Sequence, residues 1–465
     1  MTLNLGIRYE YDTPFAERDG REGYFDTSKQ KFVVGISRED SPIRRDIPGL
    51  EFDPGMRKGI WAPDRNNFAP RIGIAYRLTN GTALRAGYGV FFARTQGNEL
   101  QFKINAPPLV FASSLVGATG TPNLNWDQDA FPDPASPNFP LGTLSPFSVD
   151  PRDRTPYIQQ WNLSLNQNLG SNTLLEVAYA GSKGTKLSER VNINQARLPD
   201  PANITPIMTR RPFPAFGDIL SANWQENSNY DSLQTRLERR FSGDLSFLLG
   251  YTWSKAIDTA SRGSGGSWHQ NAFRLRDDRG NSDFDVRHRL TASGVWRLPF
   301  GKGQRFLANT GGLVNAIAGG WSTNFIGSFM SGNYFSVTVA GDRANVGGFP
   351  FQRANRSCDG NLPRDKRTID RYFDTGCFQV TPVGTFGNSG RNIVEIPGLS
   401  NWDVSFLKNN RISEHLTLQF RAEFFNFFNH AQFNAPDMSI NSAFVGQIRS
   451  ARDARISQLA LKLLW

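Results

Sequence analysis

Long apolar runs are missing from this 465-residue chain. No stretch approaches the roughly 18–20 uninterrupted apolar residues that a membrane-spanning helix needs, which excludes a helical membrane protein. Sulfur and imidazole are scarce, with 2 Cys, 5 Met and 4 His. The histidines, His269, His288, His415 and His430, stand far apart, and none has the i, i+4 partner of a metalloprotease helix. No Cys-x-x-Cys or neighbouring His pair completes a four-ligand zinc set. The glycines of Arg85-Ala-Gly-Tyr-Gly89 and Gly347-Gly348 are followed by no Gly-Lys-Ser/Thr, so neither makes a phosphate loop. With no nucleophile–base or paired-acid constellation, no catalytic, cofactor-binding or metal residue is predicted, and no enzyme is expected. The opening residues, Met1-Thr-Leu-Asn-Leu-Gly-Ile7, lack the basic region, apolar core and small-residue cleavage site of a secretory signal. They fit either a cytosolic protein or a chain whose beginning lies elsewhere. The net charge is +10, but the basic residues are scattered among 42 acids, which disfavours nucleic acid as a partner.

What the chain does have is aromatic surface and turn residues. Its 36 Phe, 11 Tyr and 10 Trp are too many for a solvated disordered chain. The 44 Gly and 27 Pro suggest many strands joined by turns and loops. Length alone allows two or three domains, or one large all-β domain. Period-2 alternation then dominates. Leu3, Leu5, Ile7 and Tyr9 oppose Asn4, Gly6 and Arg8, and Leu245, Phe247, Leu249, Tyr251 and Trp253 oppose Ser246, Gly250, Thr252 and Ser254. Leu418, Phe420, Ala422 and Phe424 oppose Gln419, Arg421 and Glu423 in the same way. The pattern predicts about twelve strands, at 2–11, 70–78, 82–93, 157–169, 172–182, 229–241, 245–256, 284–298, 319–330, 398–408, 415–427 and 455–465. They run to about ten residues each, the length of a tilted bilayer-spanning strand, where soluble domains use about 5–6.

The connections alternate as well. Tight turns fall at Thr79-Asn80-Gly81, Gly170-Ser171 and Ser242-Gly243-Asp244, with a short link at 410–414 and a longer one at 300–318. Between them lie long polar segments at 12–69, 94–156, 183–228, 257–283, 331–397 and 428–454. Loops of that length are uncommon in compact soluble domains, and turns on one side with loops on the other mark outer-membrane barrels. The expected fold is an all-β, transmembrane antiparallel barrel with long extracellular loops. The last strand then runs down to a periplasmic Trp465, an end that the barrel-assembly machinery would read.

Several stretches resemble the barrel of Oar-like TonB-dependent transporters. They include Asn66-Asn-Phe-Ala-Pro-Arg71, Leu84-Arg-Ala-Gly-Tyr-Gly-Val-Phe-Phe92 and Ser282-Asp-Phe-Asp-Val-Arg-His-Arg-Leu290. Leu298-Pro-Phe-Gly-Lys-Gly303, Thr368-Ile-Asp-Arg-Tyr-Phe-Asp374, Phe420-Arg-Ala-Glu-Phe-Phe-Asn-Phe-Phe-Asn429 and Leu459-Ala-Leu-Lys-Leu-Leu-Trp465 complete the set. The resemblance implies uptake or binding of a large nutrient at the cell surface. It also implies that 1–465 corresponds to the C-terminal half of a 22-stranded barrel, without signal peptide, N-terminal β-sandwich or plug. Such a segment would not transport alone. Its partners would be outer-membrane lipid, the N-terminal barrel half with its plug and, only through that plug, TonB.

Within this frame Cys358 and Cys377, in the long loop 331–397, suit an extracellular disulfide, with two unpaired thiols as the alternative. Asp277, Asp278, Asp283 and Asp285 form an acidic cluster that either binds calcium or pairs with the interleaved Arg274, Arg276, Arg279 and Arg287. His288 suits a hydrogen bond at a strand end. Aromatic segments at 126–147, 224–230 and 268–273 suit either carbohydrate or peptide contact, or packing of loop on loop; the substrate stays unknown. The rival reading, from another class, is a surface-exposed β-sandwich adhesin or glycan-binding structural protein.

Overall fold

The computed structural model describes residues 1–41, 46–94, 103–104, 109–110, 144–152, 154–261, 269–347 and 352–465. Its main sheet follows one path through twelve strands in sequence order, each antiparallel to the next. They are β1 (Thr2–Tyr9), β2 (Phe68–Arg77), β3 (Thr82–Phe92), β4 (Tyr157–Asn168), β5 (Thr173–Asn192) and β6 (Leu220–Ser242). The path continues through β7 (Leu245–Asp258), β8 (His288–Arg297), β9 (Trp321–Met330), β10 (Leu399–Arg411), β11 (Thr417–Phe425) and β12 (Ile456–Leu464). The sheet is open: β1 and β12 are its two edges, and each pairs with one neighbour.

Register shows why alternation was informative. In the pairings Leu5↔Ile72, Ile74↔Ala86, Leu163↔Tyr179, Leu237↔Leu249 and Tyr251↔Leu290, each apolar side chain meets another on one face. Phe325↔Val404 and Phe420↔Leu461 carry the same face to the far edge. The apolar band therefore runs unbroken across twelve strands. It is bare: Ile7 is 73% exposed, Leu5 70%, Leu459 69% and Leu461 68%. Apolar surface of that extent is not stable against water and marks contact with another apolar phase. A sandwich would cover it with a second sheet, and none of the short sheets among the described residues does so. Where an aromatic lies flat on this face, its partner strand supplies glycine. A Cβ on Gly327 would stand 2.8 Å from the Trp402 ring, so only glycine lets the indole cross the strand.

The opposite face is polar, with Arg236 opposite Glu176, Arg421 opposite Ala460 and Glu423 opposite Gln458. At one end of the sheet the strands join through short connections at 78–81, 169–172 and 243–244; Gly243 (φ +73°) takes the left-handed turn position at no steric cost. The links 412–416 and 298–320 lie at the same end, the latter holding the short helix Gly312–Ala318. No helix among the described residues is long and apolar enough to cross a membrane.

The long connections all leave the other end. Two expected boundaries there are corrected: β5 continues to Asn192 and β6 begins at Leu220, giving strands of 20 and 23 residues where 172–182 and 229–241 were predicted. At about 3.3 Å per residue these ribbons span some 65–75 Å, well beyond a bilayer. They act as a mast on which the loops pack. The hydrophobic core lies here and not in the sheet: Phe25, Phe32, Val34, Phe216 and Ile219 form one cluster. Val337, Val339, Phe373, Phe378 and Val394 form a second, and Trp61, Val149 and Trp224 belong to a third.

Candidate functional site

The loop cap and the polar face below it are where an aqueous ligand would meet this molecule. The cap is tied together by buried charge. His269, from the 259–287 connection, sits between two carboxylates: Nδ1 is 2.8 Å from Asp278 Oδ2 and Nε2 is 3.1 Å from Glu226 Oε1. Asp278 also accepts from Arg353 of the 331–398 connection, whose Nε donates to the Ser389 carbonyl at 2.7 Å. Arg391 bonds Asp258 at the top of β7 and donates from Nε to the Asp278 carbonyl at 2.7 Å. Gln195 reaches the Gln270 carbonyl at 3.1 Å, and Gln270 reaches Gly387 at 3.0 Å. Three connections and the mast strands are thereby held as one body.

Burial opposes charge on His269, but its hydrogen bonds to Asp278 and Glu226 outweigh this and raise its pKa to about 9. The imidazolium then donates from both nitrogens, one to each carboxylate. Burial also pushes Asp278 up, yet the His269 bond and the Arg353 charge reverse the sign and leave it below the ordinary carboxylate range. Glu189, on the buried end of β5, has the Arg190 backbone N–H and the charges of His269 and Arg190 in its favour. Burial dominates and lifts it to about 8.

Nearer the chain start, the cap closes over a cavity of about 170 Å³. Phe15, Trp61 and Trp224 line it together with Asp12, Asp64, Arg94 and Arg154. Trp61 and Trp224 meet edge to face at 5.3 Å between ring centres. Trp61 Nε1 is buried and has no hydrogen-bond partner among the described residues. On the polar face of the sheet, Glu176, Arg236 and Arg289 line a recess of about 220 Å³ with Gln234, Thr252 and Thr291. Aromatic faces flanked by carboxylates and guanidinium groups bind polar ligands by stacking and directed hydrogen bonds.

Of the residues singled out above, Cys358 and Cys377 are joined in the structure, with Cα atoms 5.0 Å apart. Cys377 packs in the second hydrophobic cluster beside Phe373 and Phe378. His288 opens β8 and its Nδ1 lies 2.9 Å from the Tyr251 hydroxyl. The acids do not gather round a cation. Asp277 pairs with Arg274 at 3.1 Å, Asp285 with Lys255 at 3.1 Å, and Asp283 accepts from Asn392 at 2.7 Å. Among the described residues no group of three or more His, Cys, Asp or Glu is placed to hold a metal ion. Trp224 is buried against Trp61 and reaches the surroundings only as a wall of the cavity they share, while Phe273 is exposed under the Arg197 guanidinium, 5.1 Å from its ring centre. Residues 126–143, Trp268 and Gly348 lie outside the described residues.

A family model described as an outer membrane beta barrel domain matches residues 1–458. Among solved structures, the outer membrane transporter YddB from Escherichia coli aligns at 11% identity with a TM-score of 0.44, covering 87% of this chain and 40% of that one. BauA, the ferric preacinetobactin receptor from Acinetobacter baumannii, aligns at 11% identity and TM-score 0.39, over 88% of this chain and 37% of its own. The ferric-catecholate import receptor Fiu from E. coli K12 gives 11%, 0.36, 91% and 39% in the same order. The chain thus spans about two fifths of the length of these proteins or less. No curated protein matches it.

Proposed function

The chain belongs to the outer-membrane β-barrel domain family, and from that premise we propose that it is a wall-and-cap segment of a TonB-dependent receptor of the Oar-like type. It takes part in uptake or surface binding of a large nutrient. One observation carries the reading: a single sheet is apolar on one whole face and polar on the other, and all its long connections fold together at one end. In this assignment the apolar band meets lipid, the cap is extracellular, the polar face lines a lumen, and the short turns and Trp465 are periplasmic. The edges β1 and β12 present unpaired backbone that lipid does not tolerate. They pair with further strands, those of the N-terminal half of a 22-stranded barrel, and TonB acts only through the plug that such a half brings. The Trp61–Trp224 cavity and the Glu176–Arg236–Arg289 recess are then successive stations on the ligand's path.

Protease treatment of intact cells tests the topology and uptake tests the partnership. Cleavage is expected within 331–398 and not at 243–244. Cells making only this chain are expected to show no TonB-dependent accumulation, and accumulation without a plug-bearing partner overturns the assignment.

A further inference from the structure

A cavity of about 800 Å³ is on the wrong side of the wall for a nutrient. Its floor is Tyr251, Leu290 and Phe329, three residues of the apolar face: Tyr251 pairs with Leu290, and Leu290 with Phe329. Its upper wall comes from the 331–398 connection and holds Arg364 and Arg367. Arg367 is spoken for, since its guanidinium meets Glu395 at 3.1 Å and the Tyr372 hydroxyl at 3.2 Å. Arg364 is exposed and has no ion pair or side-chain hydrogen bond among the described residues. Below is hydrocarbon-like surface continuous with the lipid-facing band, and above is an uncompensated guanidinium. That sequence of surfaces matches an acyl chain ending in an anionic phosphate.

We propose that this cavity is a binding site for a membrane lipid with a negatively charged phosphate headgroup, its acyl chain on Tyr251, Leu290 and Phe329 and its phosphate at Arg364. The segment that carries Arg364 is closed by the Cys358–Cys377 link, which holds the cationic arm over the wall. The site rests on the apolar face lying in lipid, and is independent of whether the lumen carries a nutrient.

The test uses the chain extracted from outer membranes in zwitterionic detergent, with bound lipid counted by native mass spectrometry. Phosphatidylglycerol is expected to be retained above phosphatidylcholine. Arg364→Glu is expected to lower phosphatidylglycerol retention about fivefold, the scale of one surface charge facing anionic lipid. Lys366→Glu, a charge change on the same turn outside the cavity lining, should leave retention unchanged, and Arg364→Gln should fall between. Three results overturn the site: equal retention of the two lipids, equal loss in the Arg364 and Lys366 variants, or displacement by inorganic phosphate, which would mean a free-anion site. None of them touches the uptake reading, which cellular accumulation tests separately.

Discussion

At the scale of single residues, side chains one position apart on a strand live in different solvents. Leu249 lies on the apolar face opposite Ala292 and Leu237, several residues above the Gly243 turn. Leu418 shares that face opposite Leu463, but stands second in β11, next to the short link. Gln419, one residue on, points the other way and donates to Asn409 at 2.8 Å. Depth therefore grades the cost of charge. Leu249→Arg is expected to destabilise by about 2–4 kcal/mol and Leu418→Arg by about 1 kcal/mol or less. Gln419→Arg should be mild. Urea unfolding of the lipid-reconstituted chain measures all three, and equal costs at Leu249 and Gln419 would contradict the facing assigned to β7 and β11. This alternation was legible from sequence because it is local: each residue's environment repeats with period 2, and nothing distant is needed to read it.

At the scale of elements, legibility ended where the strands leave the band. Residues 183–192 of β5 carry only Leu187 and Val191 among Lys183, Lys186, Glu189 and Arg190, too few apolar side chains to continue the alternation read up to 182. What holds them in β structure is the partner strand β6 and the loops packed on both. The cap network was hidden for a related reason. His269 meets Glu226 across 43 residues, Arg353 meets Asp278 across 75, and Arg391 meets Asp258 across 133, distances at which no motif spacing exists. Titration of that network gives a direction. His269 keeps its proton up to about 9 where 6.5 is ordinary, so the stability it adds is complete below 6.5 and is lost as pH rises to 9. Glu189 keeps its proton up to about 8 against 4.5, and its contribution is complete below 4.5 and fades up to 8. Asp278, held low, stays ionised throughout. Both slopes have one sign, so amide exchange in 193–219 and 269–287, corrected for intrinsic rate, should be faster at about pH 9 than at about pH 6. His269→Gln is expected to flatten the slope between about 8 and 9 and to leave the Glu189 part below 8; an unchanged slope above 8 would refute the role given to His269.

At the scale of the whole molecule, wall and cap are stabilised by different means. The wall has no core of its own among the described residues and relies on a surrounding apolar phase, while the cap buries Phe25, Phe216, Val337 and Phe373 against water. Two unfolding steps are expected in urea, the cap first. Reducing Cys358–Cys377, 19 residues apart, should weaken only the first step, by about 3 kcal/mol in the chain-entropy model. A single transition that shifts as a whole on reduction would show that the two parts fold as one. The mast formed by β5 and β6 gives this division a further meaning. Because the two long ribbons lift the loop cores clear of the bilayer, a loop can change length or composition by answering to its neighbours in the cap, without renegotiating any contact with lipid. The cap of such a barrel can therefore diversify at its own pace, while the wall changes only as fast as the membrane does.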